Sequence, residues 1–497
     1  MHVERRFRIH IALAITFLIF IPVALPAADA DKRPNIVFIC VDDLRPQTRA
    51  YGHTYMHTPH LDKFASQGRL FRRHYVQVPT CGASRFSMLT SRYPDQPASY
   101  NNGAFSILQG KDSKQPRSMP EFFRSNGYTT LCVGKISHQP DGRRLKKEGK
   151  GQGQADAEIP GAWDQMLSAT GKWNDAWSAF FGYADGTGRK RGKSPPTEGA
   201  DVDDKGYPDG LIAEVAVNKL AELTNANKPF FFAIGFYKPH LPFNAPKKYW
   251  DLYDPAKIQL SPNPEAPAGA DKRLTLHGSG EMFGNYGGHK AKGGAGKRIS
   301  DTWARHLRHG YFASVSYVDA QIGKVLTQID KTGLADNTIV VVWGDHGWHL
   351  GDHTIWGKHS TFERALRSAL IIRTPNLQAA GKPTNAIVES VDLYPTLAEL
   401  AGLKAPTSLD GKSLTNVLTN PNANARSGAR GFWRRSAVGH TIRTDRYRLV
   451  RWFDAKSPDK TRFVELYDHQ VDPNETANVA AKNQKIVQEL LNELAKR

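Results

Sequence analysis

Residues 35–43 read NIVFICVDD. Six successive apolar residues, Ile36 to Val41, run into two aspartates. A strand with one wet face alternates apolar and polar residues, whereas an unbroken apolar run has both faces covered, as in a parallel sheet between helices. Four more stretches have this texture: YTTLCVG (128–134), PFFFAIGF (229–236), NTIVVVWG (337–344) and SALIIRT (368–374). All five are read as buried parallel strands. Between them lie runs with helical spacing. These are TPHLDKFASQGRLF (58–71), the long RHLRHGYFASVSYVDAQIGKVLTQIDKTG (305–333) with Gly333 as its stop, and SVDLYPTLAELAG (390–402) closed by Gly402. Strands alternating with helices give an α/β fold around a mostly parallel central sheet flanked by helices.

After about residue 405 the texture changes. RYRLVRWF (446–453) and FVELYD (463–468) read as short antiparallel strands, and NQKIVQELLNELAKR (483–497) as a terminal helix. The chain thus divides into a leader at 1–30, a large unit at 31–405 and a smaller C-terminal α+β unit at 406–497. The leader reading rests on Arg5, Arg6 and Arg8, the apolar run behind them and the small residues ending at Ala30. It implies export to the periplasm or the extracellular space, with no membrane span after cleavage. An uncleaved anchor is the rival reading. Gly- and Lys-rich stretches at 143–162, 186–210 and 261–298 read as surface insertions, either free or ordered around a substrate.

The chain has 497 residues and a formal net charge of +19, which suits an anionic partner. No nucleic-acid-binding motif is present, so nucleic acid is set aside. Cysteines number three, too few for a disulfide framework. Cys40 and Cys132 sit inside strand-like runs and read as buried small hydrophobes. Cys81 does not. It stands in VPTCGASRFSMLTSRYP (78–94), read as an exposed basic turn of small residues with a helical run behind it.

In open α/β sheets ligands gather at the carboxyl ends of the strands. Those ends carry Asp42 and Asp43, Lys135 with His138 beyond it, Lys238 and His240, and Asp345 with His346. Asp42, Asp43 and Asp345 form a hard oxygen set suited to Ca²⁺ or Mg²⁺, to which His346 can add a nitrogen. Helix capping is the plain alternative for a single Asp pair. Arg85, Lys135, His138, His240 and Lys358 suit a tetrahedral oxyanion beside that cation, although each alone is as well explained by a surface ion pair. Together the groups describe metal-assisted hydrolysis of a sulfate or phosphate ester.

These residues carry a resemblance. CGASRFSMLTSR (81–92) resembles the signature of the formylglycine-dependent sulfatase family, with Ala83 where proline is most common. NIVFICVDDLRP, GDHGWHLGDHTIWGKHSTFE and the tail ELYDHQVDPNETANVA resemble the same family. GKISH, FYKPHLPF and WGKHSTFE resemble its iduronate-2-sulfatase branch. The resemblance implies a large alkaline-phosphatase-like domain with a smaller C-terminal one. It implies that a maturation enzyme oxidises Cys81 to formylglycine, whose hydrated aldehyde attacks sulfur with one hydroxyl and expels sulfate with the other. It implies that Asp42, Asp43, residue 81, Asp345 and His346 hold Ca²⁺ in preference to Mg²⁺. Arg85 would orient the diol, and Lys135, Lys358 and His240 would bind the sulfate. His138 would take a proton from the diol, and His240 would give one to the leaving alcohol. The implied substrate is a sulfated poly- or oligosaccharide, through a 2-O-sulfated uronate at a chain end. A phosphodiesterase or phosphonate hydrolase of the same superfamily is one alternative. A non-catalytic binder of sulfated glycans with unconverted Cys81 is the other.

Overall fold

The structure, a computed structural model, describes residues 33–109, 117–144, 156–287 and 293–496. The leader expected at 1–30 lies outside them, as do parts of the 143–162 and 261–298 insertions. No helix among the described residues is long and apolar enough to cross a membrane.

Eight strands form the main sheet: β1 (Asn35–Val41), β2 (Arg69–Tyr75), β3 (Thr129–Gly134), β4 (Gln165–Leu167), β5 (Phe230–Phe236), β6 (Thr338–Gly344), β7 (Leu370–Arg373) and β8 (Thr384–Glu389). Their spatial order is β8-β2-β7-β6-β1-β5-β3-β4. The opening stretch is β1, at the centre, parallel to β5 on one side and β6 on the other. Every residue from Ile36 to Val41 is fully buried. Side chains alternate across a strand, so the run feeds two cores. Val37, Ile39 and Val41 pack with Val315, Val318 and Ile322 of the long helix and Leu220 of another. Ile36, Phe38 and Cys40 pack with Leu393 and Leu397 on the opposite face. Each such side chain contributes about 1.5–3 kcal/mol on burial, which is why the run tolerates no polar residue.

The helices are α1 (Pro59–Gln67), α2 (Cys81–Thr90), α3 (Pro208–Leu223), α4 (Asp301–Lys331), α5 (Leu393–Leu400) and, at the C-terminus, α6 (Gln484–Ala495), besides several shorter turns. The Ser300 hydroxyl accepts from the Trp303 amide to start α4, and Gly333, at φ +73°, follows its end. Gly402 follows α5 in the same way at φ +66°.

Two sequence readings change. TPHLDKFASQGRLF is not one helix: α1 stops at Gln67, and Arg69, Leu70 and Phe71 open β2. SALIIRT contains β7, which is antiparallel to both β6 and β2. An apolar run fixes burial but not direction. The chain leaves β6 at the carboxyl rim, builds residues 345–369 there and re-enters the sheet from the same rim, so β7 must run backwards.

The smaller sheet orders β9 (Ala429–Arg434), β10 (Val438–Arg443), β11 (Tyr447–Asp454) and β12 (Ser457–Asp468) as an antiparallel meander. α6 covers it through Val487 on Ile442, Leu449 and Leu466. Leu414, Val417 and Leu418, between the two sheets in sequence, pack into the α5 face of the large layer. The junction is ionic as well as apolar. Fully buried Arg448 of β11 donates to Glu363 Oε2 and Glu475 Oε1, both at 2.6 Å.

Candidate active site

Register brings the rim together. Val41 pairs with both Phe236 and Gly344, and Gly134 pairs with Gly235. Asp42 and Asp345 therefore emerge side by side, with Lys135 two strands further on, beyond β5. Two glycines allow the approach. A Cβ on Gly235 would lie 2.2 Å from the Lys135 carbonyl oxygen, and one on Gly134, at φ +71°, would lie 2.1 Å from that of Gly235.

Arg85, fully buried, projects from α2 between the two carboxylates. Its Nη2 donates to Asp42 Oδ1 at 3.1 Å and its Nε to Asp345 Oδ2 at 3.0 Å, while Nη1 donates to the Lys135 and Ile136 carbonyls. Lys135 Nζ lies 2.6 Å from Asp42 Oδ2 and 4.2 Å from the centre of the Phe180 ring. Burial alone would raise the Asp42 carboxyl, but Lys135 and Arg85 hold it well below the usual carboxylate range. Asp43 adopts φ +62°, a left-handed conformation that costs a residue with a Cβ on the order of 1–2 kcal/mol. Its amide donates to Asp345 Oδ1 at 2.9 Å. Burial pushes Asp43 and Asp345 upward, and the cations beside them, Lys358 at Asp43 and Arg85 at Asp345, do not offset it.

Cys81 is not exposed. It is 2% accessible and forms the first residue of α2, whose early Gly82 amide is capped by Asn102 Oδ1 at 2.9 Å. The small residues after it serve close packing. Ala83 sits against Val78 and Phe432, and the Ser84 hydroxyl donates to the Asp345 carbonyl. Cys81 Sγ lies 3.3 Å from His346 Nε2 and 3.4 Å from Lys358 Nζ. Burial, reinforced by Asp42, pushes the thiol up to about 12.

His346 Nδ1 donates to the Gly347 carbonyl at 3.0 Å, which leaves the Nε2 lone pair facing Asp43 Oδ1 at 3.4 Å and Asp345 Oδ2 at 3.6 Å. Asp42, Asp43, Cys81 and His346 each bring one donor atom within 4.8 Å of the others, and Asp345 borders this cluster. A second group, Glu363, His469 and Glu475, is equally close but is already neutralised by Arg448 and Arg443. The rim cluster combines an inward nitrogen lone pair with carboxylate oxygens and the Cys81 Sγ within 4.8 Å of one another, so its donors fit a divalent cation.

Lys358 and His240 complete the wall. Lys358 Nζ lies 3.1 Å from Asp43 Oδ1. His240 Nδ1 donates to the Leu241 carbonyl at 2.7 Å, which turns Nε2 inward, 3.9 Å from Asp43 Oδ2. Asp209 holds this turn by accepting the Tyr237 and Lys238 amides at 2.6 and 3.0 Å. Lys238, which also lies at this strand end, turns away and donates to the His240 and Pro242 carbonyls. His138 packs edge-on against Trp177, and its buried Nδ1 has no hydrogen-bond partner. Burial, with Lys135 beside it, pushes its imidazole down to about 3.

Sequence reasoning missed Glu281. It comes from the 261–298 insertion, in the short helix Gly280–Asn285, and its carboxylate lies 2.9 Å from His240 Nε2 and 3.2 Å from Lys358 Nζ. That insertion is therefore not wholly a surface feature. Asp209, Asn102 and Glu281 belong to no spacing pattern, and only the fold reveals them.

With this geometry in place, the comparisons with known proteins are decisive. The family model described as Sulfatase matches residues 34–403. The chain belongs to the sulfatase family. A second model, N-sulphoglucosamine sulphohydrolase, C-terminal, matches residues 351–497 of the same sulfatase. It is 32% identical over 428 residues to the iduronate 2-sulfatase of Mus musculus, covering 79% of this chain and 73% of that protein. A sulfatase of Formosa agariphila is 30% identical over 479 residues, covering 91% and 84%. Among solved structures, the phosphonate monoester hydrolase of Agrobacterium radiobacter superposes with a TM-score of 0.72 at 22% identity, covering 93% of this chain and 95% of that one. The fold is thus alkaline-phosphatase-like, and the enzyme hydrolyses sulfate esters.

Proposed function

We propose that this sulfatase is an exported enzyme that removes sulfate from a sulfated carbohydrate, acting on a 2-O-sulfated uronate at a chain end. One observation carries the catalytic part of the reading. Cys81, at the start of α2, brings its Sγ within 4.8 Å of donor atoms of Asp42, Asp43 and His346 and 3.4 Å from Lys358 Nζ, and burial pushes this thiol up to about 12, so it stays protonated at neutral pH. Burial pushes Cys40 and Cys132 up as well, so it is the place of Cys81 among these groups that singles it out for conversion. Conversion of Cys81 to formylglycine by a maturation enzyme supplies a hydrated aldehyde with one hydroxyl for attack and a second for release of sulfate. Ca²⁺, in preference to Mg²⁺, would be held by Asp42, Asp43, Asp345, His346 and the side chain at 81, where it would draw charge from the sulfate oxygens.

The chain's own groups divide the remaining work. Arg85 fixes Asp42 and Asp345 as a rigid pair and borders the residue-81 side chain from its own helix. Lys135 and Lys358 offer donors to the sulfate from two sides, with His240 beside Lys358. His138, whose buried Nδ1 has no hydrogen-bond partner, is the group assigned to take the proton from the attacking hydroxyl. His240, whose Nε2 points into the site, would protonate the departing alcohol from its imidazolium form.

The uronate reading draws on the mouse iduronate 2-sulfatase, and export draws on the basic and apolar leader. The test is sulfate release from defined oligosaccharides, with an aryl phosphate assayed in parallel. A terminal 2-O-sulfated uronate should lose its sulfate, and Cys81→Ala should abolish the release. Removal of internal sulfates alone would end the chain-end reading. Preference for the phosphate would favour the phosphodiesterase alternative, and binding without turnover the glycan-binder alternative.

A further inference from the structure

Glu281 occupies the place where a substrate oxyanion would be expected. His240 has one ring nitrogen committed to the Leu241 carbonyl, so Nε2 is the only one it can turn to a ligand. That nitrogen lies 2.9 Å from Glu281 Oε1, a contact that becomes a charged hydrogen bond when the ring is protonated. Lys358 has three N–H donors. Its Nζ lies 3.1 Å from Asp43 Oδ1, 3.4 Å from Cys81 Sγ and 3.2 Å from Glu281 Oε2. Asp43 and Cys81 are parts of the site itself, so the donor available to a ligand is the one that meets Glu281. Both oxygens of one carboxylate thus satisfy the two groups assigned above to the sulfate and the departing oxygen.

We infer that Glu281 is an internal oxyanion ligand that an incoming sulfate ester displaces. The inference rests on the roles proposed for His240 and Lys358. A tethered carboxylate competes at the high effective concentration that attachment to the same chain confers. Bare sulfate must displace the carboxylate from His240 and Lys358 with no sugar contacts to offset that loss, so it binds weakly and leaves readily as product. An ester with a sugar attached can add contacts elsewhere and displace the carboxylate. Surface for such contacts lies alongside. His277, four residues before Glu281, places its ring 4.7 Å from His359, and His359 stacks on half-buried Trp433 of β9 at 5.0 Å and 23°. Glu281 is therefore a selectivity residue, which sets substrate esters apart from inorganic sulfate.

The experiment is calorimetric titration of the full chain with inorganic sulfate, in the wild type, Glu281→Ala and Glu281→Gln, with steady-state kinetics on an aryl sulfate in parallel. Glu281→Ala should bind sulfate about tenfold or more tightly than wild type, with the sulfate inhibition constant falling in step. Glu281→Gln, which keeps the shape and loses the charge, should fall between and guards against a folding defect in the alanine variant. Unchanged or weakened sulfate binding in both variants overturns the inference. So does a fall in kcat with a displaced pH profile and unchanged sulfate affinity, which would make Glu281 a partner of His240 in proton transfer. If sulfate binding tightens but no protein hydrolyses a sulfate ester, the internal ligand stands and the hydrolytic roles fall.

Discussion

A thiol 3.4 Å from an ammonium would ordinarily ionise more easily, yet Cys81 beside Lys358 is pushed up to about 12. Burial disfavours the thiolate, and Asp42 opposes it further, so one adjacent cation does not prevail. Lys358 is better matched to an oxyanion than to the thiol, because Asp43, Cys81 and Glu281 together hold it well above the usual lysine range despite its burial. Lys358→Ala should therefore lower kcat/KM by about 10²–10³-fold, the scale of one lost oxyanion donor. Lys358→Arg should restore little, since a planar fork does not replace a point charge at that spacing. Aryl-sulfate kinetics check both, and a loss below tenfold would remove Lys358 from sulfate binding. Asp42, Asp43, Asp345 and His346 were legible in the sequence because each directly follows a buried apolar run. Glu281 was not, since GSGEMF has neither period nor motif. The burial of Cys81 was misread because small residues look like a turn, whereas here they let α2 pack closely against Val78, Phe432 and Asn102.

At the level of the elements, the parallel strands were readable and the direction of β7 was not, because direction follows from which rim the connection uses. β2 was hidden for another reason. RLFRRHY has three arginines, but Arg69 is fully buried with its guanidinium donating to the Gln378, Ala379 and Leu418 carbonyls, a satisfaction that no local pattern announces. The close approach of β3 and β5 positions Lys135, and it depends on the missing side chain of Gly235. Gly235→Ala should force the Lys135 backbone away and lower both stability and turnover. Thermal unfolding and aryl-sulfate kinetics measure this. A variant with wild-type melting and wild-type KM would show that the approach is not needed.

Taken as a whole, the molecule keeps several histidines neutral in its interior, and this sets its response to acid. His74 in β2 is the clearest. Its Nδ1 donates to the Ser368 carbonyl at 3.2 Å, and the Ser390 hydroxyl, itself accepting from Trp343 Nε1, meets Nε2 at 2.9 Å. That chain suits the neutral ring, and burial pushes His74 down to about 4 from its ordinary 6.5. Between those values the unfolded chain takes up a proton that the folded one refuses. The stabilisation is complete above pH 6.5 and is lost as pH falls toward 4, at up to about 1.4 kcal/mol per pH unit. In urea unfolding, the stability difference between wild type and His74→Asn should shrink from pH 7 to pH 4.5. A constant difference would contradict the assignment.

The central claim is that the buried thiol of residue 81 is a precursor, not the nucleophile. Mass spectrometry of the tryptic peptide from His74 to Arg85, taken from protein purified out of its native host, tests this most directly. The account predicts an aldehyde at residue 81. An intact thiol there, in a preparation that turns over sulfate esters, would contradict it.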